Sequence, residues 1–197
     1  MINVKSEKNL FSTKKMVLTA MLGAICIILG STPLGFIPIG PVRVTIMHIP
    51  VIIGAILEGP LVGAIVGLMF GGFSIFQALT QPTPISFVFL NPLVSILPRV
   101  LIGLVSAYLY MGLKKVIKND NLATAITGGI GTLTNTVGVL SMIYLLYGVE
   151  FVSNLGGDIK LVGKFILTIG LTNGIPEIIL AIFVVAGVCR ALRLVRK

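Results

Sequence analysis

Few side chains in this sequence can do chemistry, and most of them stand inside apolar runs. Arg99 follows Pro98 in one such run, and Asn135 lies between Thr134 and Thr136 in a second. Asn173, Thr172 and Glu177 share a third run with Pro176, and Asn91 stands where the Arg99 run begins. A guanidinium offers a fork of donors suited to a carboxylate. A primary amide offers donor and acceptor together, which suits amides and hydroxyls. Two accounts are open at this point. Arg99 and Glu177 neutralise each other while the asparagines bond between helices. Alternatively, Arg99, Asn135, Asn173, Asn91 and Thr45 line a cavity for a small, polar, anionic molecule, with Glu177 orienting Arg99 or accepting a hydroxyl. Pro98 and Pro176 each release a backbone carbonyl beside that level.

Catalytic constellations are missing. The sequence has no G-x-x-x-x-G-K-[ST] phosphate loop, no H-E-x-x-H and no cluster of metal ligands. The single histidine, His48, has no nucleophile and acid set around it, and only Glu177 places a carboxylate within a span. Cys26 and Cys189 fall in apolar runs and read as packing residues. The expectation is a protein that is not an enzyme and carries no cofactor and no metal.

These residues must be held by membrane helices. The chain of 197 residues is 56% hydrophobic and 11% charged, with a mean hydropathy of +1.09. A soluble domain of this size needs more charge to cover its surface. The net charge of +9 lies mostly at helix ends, as orientation signals and lipid-headgroup contacts do, which argues against nucleic acid. A single domain over residues 1–197 is expected: an all-α integral membrane protein of six transmembrane helices. The helices are placed from Lys15 to Ser31, Ile46 to Leu57, Leu61 to Leu79, Leu93 to Leu113, Leu122 to Leu146 and Leu161 to Leu192, the second being short. KSEKNLFSTKK precedes no small-residue cleavage site, so it reads as retained.

Basic residues orient the bundle. Lys5, Lys8, Lys14 and Lys15, the turn lysines 114, 115 and 118, and Arg190, Arg193, Arg196 and Lys197 fall on one side; Arg43, Lys160 and Lys164 fall on the other. The positive-inside bias puts both termini in the cytoplasm. Long apolar loops between helices one and two, and between three and four, then face outward, as does GVEFVSNLGGD. Such loops favour a pocket open to the outside. In the third helix Gly59, Gly63, Gly67 and Gly71 form a small stripe, which lets a neighbouring backbone approach. Ala20 and Ala24 make a weaker stripe in the first helix.

The loop and its flanks, TPLGFIPIGPVRVTIMHIPVIIGAILEGPLVGAIVGLMFG, resemble the N-terminal half of S components of energy-coupling factor (ECF) transporters, the bacterial vitamin importers. The shared pattern is a first helix with small residues, a proline-rich outer loop, then H-I-P-V-I-I-G-A and a G-P-x-x-G-x-x-x-G turn. Most of the specific similarity lies in the first 110 residues. The resemblance implies a multi-pass protein of the bacterial cell membrane that captures a vitamin from outside. It would deliver the vitamin by docking on a transmembrane T component with two ATPase subunits, with Ala20 and Ala24 at the docking face. Phe36, Pro38, Arg43 and His48 would belong to a lid loop, although Arg43 also suits lipid headgroups and His48 also suits anchoring the second helix. P-L-G-F-I-P-I-G-P-V followed by T-I-M-H-I-P is most similar to pantothenate-type members; riboflavin, folate or another vitamin or precursor remain alternatives. A solitary permease and a membrane scaffold are the rival readings.

Overall fold

The structure, a computed structural model, describes residues 12–39 and 42–195. It is helical apart from one short hairpin. In chain order the elements are α1 (Thr13–Ser31), β1 (Phe36–Ile39), β2 (Val42–Thr45), α2 (Ile49–Glu58), α3 (Pro60–Thr80), α4 (Pro92–Ser95), α5 (Leu97–Val116), α6 (Asp120–Asn154) and α7 (Val162–Val195). A 3₁₀ turn, Ser86–Leu90, precedes α4. Among the described residues, five segments are long and apolar enough to cross a membrane: α1, α3, α4 with α5, α6, and α7 with its preceding turn. The second expected span corresponds to α2, which has ten residues. At 1.5 Å per residue it is about 15 Å long, half of a hydrocarbon core. Everything from Ile49 to Ile56 is buried, so α2 is a plug of core inside the bundle rather than a lipid-facing span.

Local chemistry sets the ends. Ser12 caps α1, its Oγ accepting from the Lys15 N–H. Gly59, at φ +94°, makes the sharp turn between α2 and α3, and Pro60 opens α3 where its missing N–H costs nothing. Gly59 therefore stands outside the packing stripe expected of it; a Cβ there would meet nothing within 4 Å. The other three glycines do form a seam. A Cβ on Gly63 would lie 3.0 Å from the Gly103 Cα, one on Gly67 2.8 Å from the Arg99 carbonyl carbon, and one on Gly71 2.8 Å from the Ile96 Cα. The seam presses α3 backbone against α5 and the break that precedes it, the packing that lipid-embedded helices use without a hydrophobic drive.

Two regions differ from expectation. GVEFVSN was expected in a loop, yet α6 continues to Asn154. Phe151 and Val152 are buried against Ile143, Val88 and Ile166, and that packing carries the helix two turns further. It stops at Gly156, φ +73°, where the Gly157 N–H bonds back to the Val152 carbonyl. Part of the proline-rich loop forms a hairpin. β1 and β2 pair antiparallel, from Phe36 opposite Thr45 to Ile39 opposite Val42.

Candidate functional site

The site begins with Pro98. Proline has no N–H to give to the carbonyl four residues back, and its ring crowds that carbonyl. The helix breaks at Ile96, between α4 and α5, and the Val94 carbonyl is left free. Arg99 fills the vacancy: its Nη1 donates to the Val94 oxygen at 2.7 Å. The guanidinium lies over two rings, 5.3 Å from the Phe70 centroid and 5.7 Å from that of Phe89. Arg99 is 6% exposed and its Nε has no partner. Among the described residues, the ion pairs are Lys114 with Asp120 and Arg193 with Asp120. The Arg99–Glu177 neutralisation that the sequence left open is absent.

Arg99 stands on the wall of a cavity of about 910 Å³. Its lining comes from the end of α1, the last residue of β2, α3, the Ser86–Leu90 turn, α5 and α6. Asn135 and Thr45 share this lining, so three of the expected residues converge there. The Asn135 Oδ1 is buried without a partner. Ligand pockets commonly hold roughly 300–1,000 Å³ and a few convergent polar groups, which this cavity matches.

Glu177 is occupied elsewhere. Its Oε1 accepts from the Thr45 backbone N–H at 2.8 Å and from the Thr45 hydroxyl at 2.7 Å, tying the end of the hairpin to α7. Asn91 lies outside the cavity lining. Its Oδ1 accepts from the Leu93 N–H and caps α4, and its Nδ2 donates to the Tyr147 hydroxyl. Asn173 is half-buried on α7, also outside the lining. His48 is buried, with Nε2 2.9 Å from the Thr132 Oγ1. That hydroxyl already donates to the Gly128 carbonyl, so it accepts from an Nε2–H histidine. His48 thus pins the start of α2 to α6. The side chains of Phe36, Pro38 and Arg43 lie outside the described residues. Ala20 and Ala24 are exposed on α1, on a surface shared with Met16, Met21 and Ile28.

The sequence reading missed Gln77 and Ser74 of α3, and it left Phe70 unremarked. All three line the cavity. Their signal was available, since Phe70, Ser74 and Gln77 fall on one helical face, but spacing alone does not show which neighbours that face meets.

The chain matches the family model described as ECF transporter, substrate-specific component, over residues 14–189. It is 33% identical over 165 residues to the pantothenic acid transporter PanT of Lactococcus lactis subsp. cremoris, covering 77% of this chain and 80% of that protein. It is 34% identical over 187 residues to the pantothenate transporter PanT of Leuconostoc mesenteroides subsp. mesenteroides, covering 89% of this chain and 90% of that one.

Proposed function

The chain belongs to the substrate-specific components of ECF transporters, and from that premise we propose that it captures pantothenate from outside the cell. The observation that carries this reading is a buried guanidinium with no carboxylate partner. It stands on the wall of a cavity that also holds the unpartnered Asn135 carbonyl. A buried charge is costly until something completes it. A ligand carboxylate at Arg99 does so, and charged groups strengthen hydrogen bonds of that kind. Asn135 suits an amide N–H. Pantothenate has a carboxylate, an amide and two hydroxyls, and the two relatives are named as its transporters.

In this reading both termini face the cytoplasm and the hairpin faces outward as a lid. Glu177 acts on the ligand indirectly, by holding Thr45 over the cavity. Asn91 and Asn173 support the helices around the site. The exposed Ala20 and Ala24 let α1 lie close against a T component, which two ATPase subunits drive. The chain is a binding and delivery subunit, not an enzyme. Isothermal titration calorimetry of the detergent-purified chain against a vitamin panel tests the capture step. Pantothenate alone is expected to bind. Silence across the panel refutes capture, and binding of riboflavin or folate instead refutes the substrate. Co-purification with the T component and ATPases tests delivery.

A further inference from the structure

We infer that Gln77, with Ser74 beside it, forms a second polar subsite that reads the hydroxyl end of the ligand, about 10 Å along α3 from the carboxylate end at Arg99. The inference rests on the pantothenate reading above and adds the ligand's direction in the cavity.

Gln77 has one assignment that settles its orientation. A side-chain nitrogen lies 3.0 Å from the Gly30 carbonyl oxygen. Gly30 is in the last turn of α1, where carbonyls lack helical partners. A carbonyl only accepts, so the amide must present its NH₂ there and its Oε1 elsewhere. Among the described residues no donor engages that Oε1, and Gln77 lines the cavity. Ser74, one turn earlier, also lines it. The Ser74 hydroxyl proton is given to the Phe70 carbonyl at 3.1 Å, which leaves the oxygen as an acceptor. Both groups therefore offer lone pairs. They ask for donors, and a hydroxyl supplies one where a carboxylate cannot.

The spacing fits. The Arg99 guanidinium lies against the Phe70 ring. Ser74 and Gln77 follow Phe70 by four and seven residues on one face, and seven residues advance about 10 Å along a helix. The pantothenate backbone from carboxyl carbon to terminal hydroxyl has as many atoms as three amino-acid residues, which extend over about 10 Å. A ligand lying along α3 therefore meets Arg99 with its carboxylate while its hydroxyls reach Ser74 and Gln77. The two ends of the cavity have opposite preferences, donors at Arg99 and acceptors at Gln77, and that polarity permits one orientation.

The competing role for Gln77 is to cap α1 and nothing more. Titration calorimetry with two ligands separates the two. One ligand is pantothenate, and the other is its dideoxy analogue with both hydroxyls replaced by hydrogen. The wild-type chain is expected to prefer pantothenate, and Gln77→Met to weaken pantothenate roughly 10-fold while leaving the analogue unchanged. Equal weakening of both ligands, or no weakening of either, overturns the subsite. Equal wild-type affinity for the two ligands overturns it as well. A wild-type chain that binds neither ligand refutes the pantothenate reading itself. Should Gln77→Met fail to fold for want of the α1 cap, Ser74→Ala removes the neighbouring acceptor without touching Gly30 and is read against the same outcomes.

Discussion

Gly67→Ala places one methyl group where α3 and α5 meet. The new Cβ would lie 2.8 Å from the Arg99 carbonyl carbon and 3.1 Å from the Val100 nitrogen. Carbon atoms settle at about 3.5–4.0 Å. The obstruction is backbone, so no side chain can turn away, and the helices must separate by about 1 Å. Overpacking of this kind costs about 1–3 kcal/mol. Alanine returns up to about 1 kcal/mol through its better helix propensity. The net expectation is a loss of about 1–2 kcal/mol, which at about 2–4 °C per kcal/mol lowers the melting temperature by several degrees. Gly72→Ala supplies the control on the same helix, because its Cβ meets nothing within 4 Å. That variant should melt with the wild type or slightly above it. Melts followed by far-ultraviolet circular dichroism in one detergent give the comparison. Because the methyl pushes on the Arg99 peptide, pantothenate affinity should fall with Gly67→Ala although no ligand atom is touched. If the two alanine variants melt within about a degree of each other, the close α3–α5 seam is refuted.

Three further outcomes follow from the site. Arg99→Ala should weaken pantothenate by about 1.5–3 kcal/mol, the range for hydrogen bonds to charged groups, with a smaller change in melting, since no acidic partner is orphaned; a large melting loss at unchanged affinity contradicts the ligand role. Glu177→Leu strips the acceptor from the Thr45 N–H and hydroxyl, a cost of about 1–3 kcal/mol for each group left unpaired. Bound pantothenate should then dissociate about tenfold faster or more in stopped-flow exchange, and an unchanged rate counts against the lid. Ala24→Phe enlarges an exposed position, so melting should change by less than about 0.5 kcal/mol and binding should survive. Uptake by cells carrying the T component and ATPases should be lost, and normal uptake removes Ala24 from the docking face.

Five of the six expected spans, the membrane setting and the carbonyl released by Pro98 were legible because each depends on local rules. A proline removes its own hydrogen bond wherever the helix lies, and an apolar run needs lipid or core. The partners of polar groups were less legible, because they depend on which helices become neighbours. Glu177 could reach Arg99 or the hairpin as far as spacing shows; only the fold brings Thr45, 132 residues earlier, within 2.7 Å. Asn91 looked like a site residue because it is polar at the start of a span, and the structure uses it as a helix cap. Gln77 drew no notice inside the third apolar run, and the structure turns it toward the end of α1. The end of α6 was misplaced because Phe151 and Val152 gain their helical state from packing against α7 and the Ser86–Leu90 turn, contacts no local window contains.

The Val94 carbonyl has a consequence for the electrical state of the protein in its membrane. Because a neutral dipole positions the guanidinium and Thr45 engages Glu177, the two groups are held by separate dipoles, and no ion pair joins them among the described residues. The span therefore holds a guanidinium and a carboxylate whose formal charges balance in sum without meeting in place. On the proposed function, a bound carboxylate would give Arg99 the local counterion that Glu177 does not supply. A helix-breaking proline, by setting a carbonyl free, lets a buried arginine be held in place without a counterion.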